Sequence, residues 1–144
     1  MENTPRQEVP VHAVAHLAHR WPTFMALACV AVVFWDGAVN WQPFAVLMIT
    51  LPGVYLVVGA LRGELRTRRA FGIQLCGLVL WSLPALLAFA VGGRAAVYIV
   101  AAAWFAHSAW DFAHHRARAV VPRAYAEWCM VVDALVAVGL LAWA

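Results

Sequence analysis

The sequence predicts an all-α integral membrane protein, a bundle of five transmembrane helices preceded by a short amphipathic helix. Of its 144 residues, 65% are hydrophobic and 12% are charged, and the mean hydropathy is +0.78, well above that of soluble domains. The apolar residues form five runs of about 20 residues, the length that a helix needs to cross a bilayer. Short polar segments separate these runs, so we expect one compact domain over residues 1–144.

The N-terminal amphipathic helix is predicted over residues 9–20, lying in the membrane interface. Three histidines share its polar face: His12, His16 and His19. The five spans are predicted at about 21–39, 43–61, 70–91, 95–115 and 125–144. Gly92-Gly93 predicts a tight turn between the third and fourth spans. Pro52 and Pro84 lie inside spans, where a kink is favoured over a break because neighbouring helices can satisfy the freed carbonyl groups.

The arginines predict the orientation of the chain in a cell membrane. With five spans, Arg94 alone falls on one side, and the other nine arginines fall on the opposite side: Arg6, Arg20, Arg62, Arg66, Arg68, Arg69, Arg116, Arg118 and Arg123. Basic residues concentrate on the cytoplasmic side of membrane proteins. We therefore expect a cytoplasmic N-terminus and a C-terminus outside.

Composition excludes several classes of function. The chain has no lysine, so neither retinal nor pyridoxal phosphate can be held as a Schiff base. Three cysteines, without a CxxC pair, indicate small buried side chains rather than a disulfide framework: Cys29, Cys76 and Cys129. The net charge of +3 is small and gives no reason to expect a nucleic-acid partner.

The segment HSAWDFAHHR, residues 107–116, places four metal-ligating side chains on one stripe of the fourth span: His107, Asp111, His114 and His115. Ionisable groups inside a span are expensive and usually face a partner, a cavity or a water path. Imidazole and carboxylate ligands suit zinc, iron or manganese, and ligands four residues apart can reach one ion. The two ends of the stripe are about 12 Å apart along the helix, so a second helix must complete a single site.

Acidic residues of the fifth span are candidates to complete the site. Glu127 and Asp133 are six residues apart and point about 120° from each other in a helix, so only one is expected to face the stripe, and Asp133 is favoured. Gln74 and Glu64 are further candidates. The N-terminal histidines, His12, His16 and His19, are either additional ligands or the solvated face of the interfacial helix.

Two short patterns, HAVAH from His12 to His16 and DFAHH from Asp111 to His115, resemble in part the histidine boxes of membrane fatty-acid desaturases and alkyl hydroxylases. The resemblance implies a two-iron site at the cytoplasmic face. Asp111 replaces a box histidine and a third box is absent, so the resemblance is one of chemistry rather than of family membership.

Three functions fit these patterns. The first is a metal-dependent enzyme of the hydrolase or non-haem iron oxygenase type, with zinc or iron as cofactor and a lipid or another hydrophobic small molecule as substrate. Its expected catalytic residues are Asp111, Asp133 and Glu127, and its expected ligands are His107, Asp111, His114, His115, His12, His16 and His19. The second is a proton-linked transporter. The third is a structural or assembly subunit, in which the cluster is a hydrogen-bonded network. Membrane lipids are expected partners. The sequence leaves open whether the chain forms a homo-oligomer or joins a larger membrane complex.

Overall fold

The computed structural model describes residues 19–35, 37, 40–142 and 144. Within these residues the backbone forms five α-helices and no strand. The helices are α1 (Trp21–Val33), α2 (Trp41–Leu61), α3 (Arg68–Val91), α4 (Gly93–Ala117) and α5 (Arg123–Ala142). The predicted all-helical architecture is confirmed for this part of the chain.

Three of the helices, α2, α3 and α5, are long and apolar enough to cross a membrane. α1 has 13 residues and a length of about 20 Å, which is less than the hydrocarbon core of about 30 Å. α4 has 25 residues, and its length suffices, but its polar stripe makes it less apolar. Large apolar side chains are exposed on the outside of the bundle, among them Leu83, Leu86 and Phe105, as expected of a surface that contacts lipid.

The first predicted span, 21–39, extends further than the helix found there, because α1 ends at Val33. The Phe34 N–H still bonds to the Val30 carbonyl, and the Gly37 N–H then bonds to the Phe34 carbonyl at 3.3 Å. Gly37 has a φ of +69°, a left-handed conformation that glycine adopts without steric cost. The chain therefore turns out of the helix before the predicted end. The predicted N-terminal helix, 9–20, lies outside the described residues except for His19 and Arg20, which form a turn.

The other helix ends follow local signals in the sequence. The side chains of Asn40 and Thr67 each accept a hydrogen bond from a backbone N–H in the first turn of α2 and α3, at 3.4 and 3.1 Å, as N-cap residues do. Gly92 and Gly93 have φ values of +64° and +56° and form the predicted tight turn between α3 and α4. Both internal prolines lie in helices that continue through them, Pro52 and Pro84.

His107 and Asp111 of the α4 stripe are buried because α4 packs against three other helices, most closely against α5. Alanines are frequent among the buried residues of these two helices: Ala96, Ala101, Ala103, Ala126 and Ala137. Small side chains allow the backbones of membrane helices to approach closely. α2 is linked to α4 by the indole N–H of Trp104, which donates to the Phe44 carbonyl at 3.1 Å. This packing brings the polar residues of α4 and α5 to one place inside the bundle.

Candidate metal centre

The centre of the buried cluster is His107, which contacts carboxylates from two helices. Its Nδ1 lies 2.6 Å from Oδ2 of Asp133 on α5 and 3.4 Å from Oδ2 of Asp111, one helical turn later on α4. One ligand atom from each of the three residues lies within 4.8 Å of the others. This group, the His107–Asp111–Asp133 triad, could hold a metal ion.

A fourth side chain, Tyr55, positions the triad from α2. Its hydroxyl donates a hydrogen bond of 2.6 Å to Oδ1 of Asp111, so the carboxylate is fixed from one side while Oδ2 faces His107. Sequence reasoning did not select Tyr55 as a site residue. The available signal was a phenol hydroxyl three residues after Pro52 in an otherwise apolar span, because a buried tyrosine hydroxyl usually has a polar partner.

The triad is closed off from the surface of the bundle. The side chains of His107 and Asp111 are 0% exposed and that of Asp133 is 2% exposed. The ring of Trp81, on α3, covers His107 edge-on with 5.1 Å between ring centroids. Charges in so buried a site interact strongly, and an uncompensated charge is costly there.

Three buried polar atoms have no hydrogen-bond partner among the described residues: Nε2 of His107, Oδ2 of Asp111 and Nε1 of Trp81. Such atoms are rare in folded proteins and call for an explanation such as an ion, water or chemical role. Two of the three belong to the triad. Its hydrogen-bonding capacity therefore exceeds what the neighbouring side chains satisfy.

The charge of the triad depends on its protons. With both carboxylates ionised the charge is −2 beside a neutral imidazole and −1 beside an imidazolium. A divalent cation beside a neutral His107 would bring the charge to zero. The donor set of one imidazole and two carboxylates is suited to zinc, iron or manganese, so the residues present fit such an ion.

His114 is engaged in a separate pair of hydrogen bonds. Its Nδ1 lies 2.9 Å from the Trp110 carbonyl, and its Nε2 lies 2.9 Å from Nε2 of Gln74. Because a carbonyl oxygen only accepts, Nδ1 carries the proton, and Nε2 accepts from the Gln74 amide. Both ring nitrogens are thus occupied, and the predicted partner Gln74 pairs with His114 rather than with the triad.

His115 has the same arrangement at the end of α4. Its Nδ1 donates to the Arg123 carbonyl at 3.2 Å, and its Nε2 accepts from Nε of Arg123 at 3.3 Å. These contacts join the end of α4 to the start of α5. The predicted stripe therefore divides: His107 and Asp111 meet Asp133, whereas His114 and His115 each bond elsewhere.

The remaining predicted site residues lie apart from these contacts. Glu127, also on α5, accepts a hydrogen bond from the Thr23 hydroxyl at 2.8 Å and pairs with Arg20 at 3.4 Å, so it bonds to α1 and the turn before it. His19 is exposed and, like Glu127, lines a cavity of about 440 Å³. Glu64 lies 4.0 Å from Arg62 in the α2–α3 connection. The predicted ligands His12 and His16 lie outside the described residues.

Comparisons with known proteins give no relative: no protein family, no curated protein and no solved structure matches this chain. The chemistry of the triad is thus the basis for a functional argument.

Proposed function

We propose that this protein is a small membrane metalloenzyme that binds one divalent ion, zinc or iron, at the His107–Asp111–Asp133 triad and acts on a hydrophobic substrate. The observation that carries the proposal is the convergence of one imidazole and two carboxylates from two helices in a fully buried place. Buried charges that are neither paired nor metal-bound are costly. A divalent ion would neutralise this cluster.

Three protein ligands are the number typical of catalytic zinc sites, in which the remaining position is open to water or substrate. When bound, such an ion supplies Lewis-acid polarisation or a water molecule of lowered pKa, and an iron supplies oxygen chemistry. The protein's own contribution is positional. Tyr55 fixes Asp111 through Oδ1, and the short contact of His107 with Asp133 fixes the imidazole ring.

A hydrophobic substrate is supported by the surroundings of the triad. A cleft of about 630 Å³ lies between α3 and α4. Apolar side chains line it, including Leu80, Leu87, Ala102 and Ala106, and Trp81 lines it as well. Since Trp81 also packs against His107, its ring lies between the cleft and the triad. A molecule that enters the cleft from the bilayer would reach the triad when this ring moves aside.

The test of the metal site is elemental analysis of protein purified without chelator and then loaded with Zn²⁺ or Fe²⁺. We expect about one ion per chain, lost in His107→Ala and retained in His115→Ala, whose histidine bonds to Arg123. A loaded wild type without stoichiometric metal, or a His107→Ala protein that keeps its ion, would refute the site.

Calorimetry gives an independent readout, because Nδ1 of His107 shares a proton with Asp133. An ion bound at Nδ1 must displace that proton, which is released unless it moves to Nε2 of the same ring. If His107 is an imidazolium paired with Asp133, Nε2 already carries a proton, and titrations in buffers of different ionisation enthalpy should show proton release on binding. Binding without proton release would exclude the imidazolium as the starting state.

A proton relay is the second candidate, favoured by the continuous chain of contacts from Tyr55 through Asp111 and His107 to Asp133. The chain joins α2, α4 and α5, and histidine with carboxylates is a common proton carrier. In proteoliposomes, Asp111→Asn should abolish proton flux if the relay operates. Unchanged flux would exclude it.

We also propose that all five apolar runs of the sequence cross the membrane, with the N-terminus cytoplasmic and the C-terminus outside. The support is the distribution of arginines, of which nine fall on one side of a five-span topology. Single cysteines placed at Ala144 and at Arg66 in a cysteine-free variant test this. A membrane-impermeant maleimide applied to intact cells should label position 144 and spare position 66, and the reverse labelling would invert the topology.

A further inference from the structure

A groove at the arginine-rich end of the α2–α3 hairpin combines an apolar wall with two cationic groups. Its volume is about 660 Å³. The apolar part is formed by Leu56, Val57, Ala60, Leu61, Leu65 and Phe71. Arg62 and Arg66 line the same groove, where the chain leaves α2. The groove therefore has an apolar part and a positively charged part.

The positive charge of this groove is only weakly compensated. The segment 62–69 contains four arginines and one glutamate. Arg62 lies 4.0 Å from Glu64, with both side chains about 40% exposed, a geometry that contributes little to stability. Among the carboxylates that the structure describes, none lies within ion-pair distance of Arg66. Its guanidinium lies beside Gly63, 3.2 Å from where a Cβ on that glycine would be.

We propose that this groove binds one anionic phospholipid, with its phosphate between Arg62 and Arg66 and an acyl chain against the apolar wall. Two features of the groove fit the two ends of such a lipid. Guanidinium groups bind phosphate oxygens through charge-assisted hydrogen bonds, and basic pockets beside membrane helices are typical headgroup sites. Apart from Leu65, the apolar wall belongs to α2 and α3, both long and apolar enough to lie in the bilayer. The site is independent of the metal-dependent function proposed above.

Native mass spectrometry of the full chain, with phosphatidylglycerol and phosphatidylcholine added in equal amounts, tests the proposal. The wild type should retain phosphatidylglycerol in preference to phosphatidylcholine. Arg62→Gln with Arg66→Gln should reduce that preference by about fivefold per arginine. Arg94 follows the end of α3 that is remote from the groove, so Arg94→Gln should leave the preference unchanged. Equal retention of the two lipids by the wild type, or equal losses in all the variants, would overturn the proposal.

A second variant tests the apolar half of the groove. Ala60→Trp fills the wall while both arginines remain, so it should reduce retention of phosphatidylglycerol without altering the charge. This variant also keeps the test valid if the double arginine variant fails to fold. Adding inorganic phosphate at a concentration that matches the lipid should displace none of it. Displacement by free phosphate would show that the acyl chain contributes nothing and would refute a lipid site.

Discussion

Replacing Asp133 by asparagine separates the metal-binding role of the triad from its role in packing. The substitution keeps the shape of the side chain and an oxygen that can accept from Nδ1 of His107, now 2.6 Å away. It removes one unit of negative charge from a site in which the other carboxylate, Asp111, lies 3.4 Å from the same nitrogen. Without metal, the weaker hydrogen bond and the relieved repulsion oppose each other. We therefore expect the free energy of unfolding of the metal-free variant to differ from that of the wild type by about 1 kcal/mol or less.

With metal the two proteins should differ strongly. At a free ion concentration of about 100 times Kd, binding stabilises the wild type by about 2.7 kcal/mol. For a chain of this length that corresponds to a rise in Tm of about 10 °C. Loss of a direct ligand should weaken binding by at least about 100-fold, more than the loss of an outer hydrogen-bonding partner. The same ion concentration then stabilises Asp133→Asn by only about 0.4 kcal/mol, a rise of about 1–2 °C.

The assay is thermal unfolding in detergent, with chelator and then with Zn²⁺. Glu127→Gln is the matched control, because Glu127 is a second buried carboxylate of α5 that bonds to Thr23 and Arg20 instead of His107. This control should keep the full metal-induced rise in Tm. An equal rise in Asp133→Asn and the wild type would refute the ligand role of Asp133. A metal-induced rise in Tm that disappears in Glu127→Gln but not in Asp133→Asn would refute it as well.

Two further substitutions probe the contacts around the site and the packing of the bundle. Tyr55→Phe removes the donor to Oδ1 of Asp111. It should lower the free energy of unfolding by about 1–3 kcal/mol and the Zn²⁺ affinity by about 10–100-fold. An unchanged Kd in a competition titration would show that this hydrogen bond does not orient the ligand. Gly139→Ala should destabilise the protein by about 1–3 kcal/mol, because a Cβ there would lie 2.5 Å from the Phe34 ring. The control in the same thermal assay is Gly72→Ala, since no atom lies within 4 Å of a Cβ at that position. Equal effects of the two substitutions would contradict the packing argument.

The sequence by itself determined the helical class, most of the helix limits and half of the candidate site. Apolar runs and the Gly92-Gly93 turn are local signals, and they placed α2 to α5 to within a few residues. The pairing of His107 with Asp111 is also local, because residues four apart lie on the same face of a helix. The predicted end of the first span was wrong, because α1 ends at Val33 and the left-handed Gly37 turns the chain before the apolar run is complete.

The sequence favoured Asp133 as a partner of the α4 stripe, but only the tertiary structure decided which side chains meet these residues. The rotation of α5 about its axis is set by its packing against α4, and it turns Asp133 toward His107 and Glu127 toward Thr23. No spacing within α5 fixes that rotation. The same is true of Tyr55, which reaches Asp111 from α2 across 56 positions of sequence. His114 and His115 have the same residue type as His107, but their neighbours occupy both ring nitrogens. A hydrogen bond between helices depends on where the whole bundle places each side chain, and that information is not contained in any one segment.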